Sequence, residues 1–241
     1  MNNNKYLCML LTTFLLIIFM DIYYLNYDSP YNKGKCISAS SNSNTDDNCI
    51  VQREEIIEQP EVIVNTDYLK NQVGYIRIEG TDIDGNIMQY TDNDFYLNHD
   101  NNGNYYVYGS IYMDYRNSFD DQKILIFGHN TNGNSISPLH DLENYESFSF
   151  YQEHPYIMIE LNGQTHKWHV FSVLVVSNKS NKHMKLKFTD EEWQQHLTWL
   201  KNNSLYNTNV SVNPNDQIVT IQTCYYGEAE SFILVSAKKE K

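Results

Sequence analysis

Cys224 is the residue of this chain best placed for chemistry. It ends the β-branched run "TIQTC" (220–224), before the polar segment "YYGEAES" (225–231) and a second apolar run that reaches almost to the last residue. A thiol attacks as its thiolate, and a neighbouring imidazole can take its proton and later hand one to a leaving amine. Of the eight histidines, His129 has the most suggestive context. It follows "KILIFG" and opens "HNTNGNSISPLHDL", at the mouth of a buried strand where a loop begins, and loops carried on a rigid scaffold commonly hold catalytic groups. His166 and His169 are three apart on a strand pattern, which sends them to opposite faces and makes them a poor metal pair. His99, His140, His154, His183 and His196 read as surface or packing residues. A lone cysteine beside an apolar strand also fits a small buried hydrophobe, and no spacing in the sequence brings residues 129 and 224 together.

Attack by a thiolate on a carbonyl also creates an oxyanion that needs a donor. The only arginines are Arg53, Arg77 and Arg116, all upstream of Cys224.

The elements that must position these groups read mainly as strands. "VGYIRIEG" (73–80), "YYVYGSIYM" (105–113), "KILIFG" (123–128), "YIMIEL" (156–161), "KWHVFSVLVVS" (167–177), "QIVTIQT" (217–223) and "FILVSA" (232–237) are β-branched or aromatic runs bounded by turn formers. Asn162-Gly163 predicts a tight hairpin, because both residues tolerate positive φ. So many short strands suggest a barrel or sandwich. One helix stands out in "FTDEEWQQHLTWLKNN". Thr189 and Glu192 form a capping box, Phe188 and Trp193 a hydrophobic staple, and Trp193, Leu197 and Leu200 share one face.

The 241 residues fit one domain plus an appendage, and the net charge of −13 argues against a nucleic-acid partner. Residues 6–25, "YLCMLLTTFLLIIFMDIYYL", carry Asp21 as their only charge. They are long enough to cross a hydrocarbon core and lack a small-residue cleavage site, so an uncleaved anchor is expected, with Lys5 on the cytoplasmic side. The expected organisation is an anchor over 1–25, a polar extracellular stalk over 26–50 and a catalytic domain over 51–241. Residues 53–64 read as a short helix ended by Pro60 or as more linker. Cys36 and Cys49 could pair in an exported chain, leaving Cys224 free.

"TIQTCYY" is similar to the T-L-x-T-C signature of sortases, and "IFGHN" resembles the sequence around their histidine. "GYIRIEGTDID", "DNDFYLNHD", "GSIYMDYRN" and "SPLHDLENYESFSFYQEHPYIMIEL" follow in the order and approximate spacing of class B sortases. The resemblance covers residues 66–241. It implies a mainly β fold with helices: an eight-stranded sortase-type barrel with N-terminal helices and one helix between strands six and seven. It further implies a membrane-anchored extracellular transpeptidase of Gram-positive bacteria needing no metal or organic cofactor. Cys224 would form a thioester with the threonine of a sorting motif, and His129 would serve as acid and then base. The partners implied are surface proteins or pilins carrying that motif and an amine acceptor, either a pilin lysine or a peptidoglycan cross-bridge. Gln222, Thr223, Tyr225 and Asn130, which flank the two motifs, would contact substrate.

The resemblance also implies an arginine at the start of the last strand. Aligning the apolar run puts Ser231 there as a neutral oxyanion donor, with Phe232 as the other alignment. Arg116 or Lys238 brought in by folding would be a cationic substitute. Gly85-Asn86 stands where the family often has "YP", which leaves the sorting motif open. A thiol hydrolase and a catalytically weak protein that binds sorting signals are the alternative activities.

Overall fold

The computed structural model describes residues 68–131 and 135–241. The expected anchor, the stalk, Cys8, Cys36, Cys49 and the 53–64 segment lie outside them, as do N-terminal helices beyond the 3-10 turn Tyr68–Asn71. Among the described residues no helix is long and apolar enough to cross a membrane.

Eight strands close into a barrel in the order β1-β2-β3-β4-β7-β8-β6-β5. They are β1 Gln72–Arg77, β2 Asp84–Met88, β3 Ile111–Met113, β4 Lys123–Phe127, β5 Tyr156–Leu161, β6 Gln164–Ser177, β7 Ile218–Tyr225 and β8 Ser231–Lys239. The β2/β3 and β4/β7 pairs are parallel and the others antiparallel. β5 and β6 form the hairpin predicted at Asn162-Gly163, whose φ values are +50° and +71°.

β2 was not among the sequence-predicted strands, because Asp84, Gly85 and Asn86 carry turn rather than strand chemistry. The predicted run 105–113 is strand only over its last three residues, and Tyr105 and Val107 are exposed loop residues.

The barrel interior is filled by Ile76, Ile87, Ile126, Ile159, Val173, Val219, Ile221, Ile233 and Val235, among others. β6, β7 and β8 are also covered on their outer face, where Phe171, Leu174, Ile218 and Leu234 meet Trp193, Leu197 and Leu200. That is why "VFSVLVVS" is apolar without alternation. The covering element is the helix between β6 and β7, α2 (Asp190–Asn202); the shorter α1 is Phe148–Glu153. In the capping box the Thr189 N–H donates to Glu192 at 2.9 Å and the Glu192 N–H to the Thr189 hydroxyl at 3.3 Å, while the tilted rings of Phe188 and Trp193 lie 5.2 Å apart between centres. Each large side chain buried on this face contributes about 1.5–3 kcal/mol. The Ser172 hydroxyl donates to the Leu200 carbonyl at 2.6 Å, tying the last turn of α2 to β6.

Candidate active site

The parallel pairing of β4 with β7 builds the site. Lys123 pairs with Ile218 and each step follows to Phe127 opposite Gln222. Both strands therefore leave the barrel at the same end, and residues 128–130 run on beside 223–224. The Thr223 hydroxyl donates to the Gly128 carbonyl at 2.8 Å, and the Asn130 amide donates to the Cys224 carbonyl at 3.1 Å. Phe127 packs in an outer cluster, so the alternation of side chains puts His129 on the outer face too, alongside Cys224. Gly128 is required by close approach, since a Cβ there would lie 2.9 Å from the Leu139 side chain.

His129 Nε2 lies 2.8 Å from the Leu97 carbonyl oxygen. A carbonyl can only accept, so Nε2 carries the proton and, in the neutral ring, Nδ1 keeps the lone pair. Leu97 is in turn set by Gly109, whose φ is +60°. A Cβ at Gly109 would meet Tyr96 O at 2.6 Å and Leu97 O closer still.

Cys224 is a free, half-buried thiol. Burial pushes its pKa up, and the Glu143 carboxylate adds to the shift. Around it, Asn130 and Thr223 are buried and spend their polar groups on the framework. Tyr225 points to the inner side and donates to Glu146 at 2.8 Å, an acceptor bond that pushes its pKa up to about 12. Gln222 shares the outer face with Cys224, and its side-chain oxygen is buried.

The β7/β8 register puts the two candidate positions for the missing arginine on opposite faces. Cys224 pairs with Phe232, and Tyr225 pairs with Ser231. Phe232 packs with the outer cluster and Ile233 with the inner one, so Ser231 is an inner-face residue. It is 6% exposed, and its hydroxyl donates back to the Ala229 carbonyl at 3.3 Å. The structure therefore does not bring the Ser231 hydroxyl to the thiol; it brings the Phe232 ring to that side.

Neither cationic substitute reaches Cys224. Lys238 pairs with Ile218, six residues down β7 and about 20 Å away along the strand. Arg116 is held by Asp114 through Nε at 2.8 Å and Nη2 at 2.6 Å, and donates to the Met184 carbonyl at 3.2 Å. Asp114 bonds to Leu125, so Arg116 belongs to the earlier part of β4, away from His129.

Lys123 is buried, and so are His183 and His196, two of the histidines read from the sequence as surface or packing residues. Lys123 on β4 is fully buried and donates to the carbonyls of His183 at 2.5 Å and Lys185 at 3.2 Å. Burial, with Arg116 nearby, lowers its pKa to about 7. The His183 ring lies 6.4 Å from that of Phe232. Burial and then Lys123 lower His183 to about 4, a shift partly offset by Gln222. His196 on α2 falls to about 3 for the same two leading reasons. Among the described residues no group of three or more His, Cys, Asp or Glu side chains is placed to hold a metal ion.

The profile described as "Sortase domain" matches residues 76–240. The chain is 32% identical over 174 residues to "Sortase B" of Staphylococcus aureus, which covers 70% of each sequence. It superposes on the Staphylococcus aureus sortase B-substrate complex with a TM-score of 0.67 at 31% identity, over 73% of this chain and 82% of that one. It also superposes on a sortase B complexed with triglycine, with a TM-score of 0.67 at 30% identity over 73% and 83% of the two chains. The chain belongs to the sortase family, with class B sortases as its homologues, and is a cysteine transpeptidase.

Proposed function

We propose that this enzyme cleaves a sorting motif after threonine and transfers the acyl group to an amine, with Cys224 as nucleophile and His129 as acid and base. His129 takes the thiol proton as the Cys224 sulfur attacks the threonine carbonyl carbon, and hands it to the departing amine as the C–N bond breaks. An incoming amine then attacks the thioester and gives a proton to His129, and the C–S bond breaks as that proton returns to the sulfur of Cys224. Proton transfer by a placed imidazole is worth about 100- to 10,000-fold.

The observation that carries this reading is the parallel β4/β7 pairing, which runs residues 128–130 on beside 223–224 and so supports His129 as the partner of Cys224. A similar protein has been solved with its substrate and another with triglycine, which supports a peptide donor and an amine acceptor. For this chain the donor is a surface protein or pilin, and the acceptor a pilin lysine or a peptidoglycan cross-bridge amine. The apolar run 6–25 supports a membrane anchor that holds the barrel outside the cell.

The test is a panel of sorting peptides and amine acceptors incubated with the full chain and read by mass spectrometry. An amide product that disappears in Cys224→Ala supports the proposal. Free acid as the only product makes the protein a thiol hydrolase. Turnover that survives Cys224→Ala overturns the assignment of the nucleophile.

A further inference from the structure

Two backbone segments have to stay in fixed relation for a Cys–His pair to work, and they lie far apart in sequence. One is the loop carrying His129; the other is the chain leaving β7 after Cys224. A third element touches both. Glu143, in the 3-10 helix His140–Glu146, accepts from the Asn130 side-chain amide at 2.7 Å through Oε2 and from the Tyr226 backbone N–H at 2.7 Å through Oε1. The same Asn130 amide donates to the Cys224 carbonyl at 3.1 Å, and the Tyr226 hydroxyl donates to the Asn130 carbonyl at 3.1 Å. The contacts close a ring through residues 130, 143 and 226. The Asn130 orientation is fixed, because its amide nitrogen faces two acceptors while its oxygen faces His140 Nδ1 at 3.3 Å.

We infer that Glu143 is a positioning residue for transpeptidation, joining the His129 loop to the segment after Cys224 through its two carboxylate oxygens. The inference rests on the proposed roles of Cys224 and His129 and adds a residue that touches neither side chain. Charge-assisted bonds of this length are roughly twice as strong as neutral ones. Misplacing a reacting group by about 1 Å can cost about 100-fold in rate. Glu143 has a second effect, because its negative charge opposes ionisation of Cys224 and adds to the upward push of burial. The other titratable groups around Cys224 are Tyr112 on β3 and His129 after β4, with Glu146 and Glu228 close to Tyr225.

Glutamine separates the two effects. Its oxygen can accept from Tyr226 or from Asn130 but not both, since its other end is a donor, and the charge is gone. The experiment measures kcat and KM for peptide transfer, and the pH dependence of Cys224 alkylation by iodoacetamide, in the full chain and in Glu143→Gln, Glu143→Ala and Cys224→Ala. Glu191→Gln on the solvent side of α2 controls for the loss of one surface carboxylate and leaves both readouts unchanged. Expected are a 10- to 100-fold fall in kcat for Glu143→Ala with KM within threefold, a smaller fall for Glu143→Gln, and an alkylation midpoint moved to lower pH in Glu143→Gln. Should Glu143→Ala fail to fold, Glu143→Gln alone decides. A kcat within twofold of the parent, or an unmoved midpoint in Glu143→Gln, overturns the inference. Turnover retained in Cys224→Ala would instead overturn the reading beneath it.

Discussion

Cys224 on β7 lies directly across from Phe232 on β8, with both residues on the outer face of the barrel. Of the two positions that the family resemblance offers for a guanidinium, the one on the thiol's face is held by an aromatic ring. Ser231 faces the other way and bonds to its own turn. Replacing Ser231 by alanine is therefore expected to leave kcat within twofold. Phe232→Arg is expected to raise it, by about 10-fold or more if the guanidinium reaches the oxyanion, since one such donor is worth about 100- to 1,000-fold. Steady-state rates with one peptide and one amine check both. A loss of activity in Ser231→Ala would return the donor role to that hydroxyl.

Gly109 governs His129 at one remove. A Cβ at Gly109 collides with the Leu97 carbonyl, the group that holds His129 Nε2. Gly109→Ala is expected to cut kcat by about 100-fold through misplacement of the imidazole, while thiol alkylation at Cys224 proceeds at its normal rate. Loss of both activity and a cooperative melt would point to global unfolding instead.

Acid should destabilise the protein in a defined window. His183 and His196 have folded-state pKa values lowered to about 4 and about 3, against an ordinary 6.5. Between those limits the unfolded chain binds more protons than the folded one, so stability is full above 6.5 and is lost as pH falls toward 4. Every tenfold difference in proton affinity between the folded and unfolded chain corresponds to about 1.4 kcal/mol. Denaturant melts from pH 7.5 to 4 check the slope, and His196→Phe is expected to flatten it. A slope equal to the parent's would show that His196 is charged in the fold.

Lys123 works in the same direction at higher pH. Its pKa is about 7 in the fold and 10.5 ordinarily, so stability keeps rising as pH goes from 7 toward 10.5. Lys123→Met is expected to abolish this rise, and to loosen the 183–185 segment whose carbonyls the ammonium holds. Chemical denaturation at pH 7.5 and 9.5 in the two proteins measures it, and an unchanged difference between the two pH values would refute it.

Much of the barrel was legible in the sequence where local chemistry and burial agree. The Asn162-Gly163 hairpin, the capped helix α2 and the doubly buried β6 all follow from turn residues, caps and the lack of alternation. β2 was not, since its ladder partners β1 and β3 rather than its own residues make "DGNIM" a strand. Cys224 and His129 stood out by context, but their proximity comes from a parallel pairing of strands about 95 residues apart, which no local pattern encodes. The choice between Ser231 and Phe232 turned on a single-residue register, and a shift of one residue exchanges the two faces of a strand. Glu143 had no signal, because its partners Asn130 and Tyr226 come from two distant loops.

Above all, Cys224 must carry the acyl group. Intact-protein mass spectrometry after brief mixing with a sorting peptide, without an amine acceptor, reads this step. The expected product is an adduct equal to the peptide fragment ending in threonine, located at Cys224 and absent from Cys224→Ala. A Cys224→Ala protein that still forms the adduct, or still turns peptide over at the parent rate, would remove Cys224 from the mechanism.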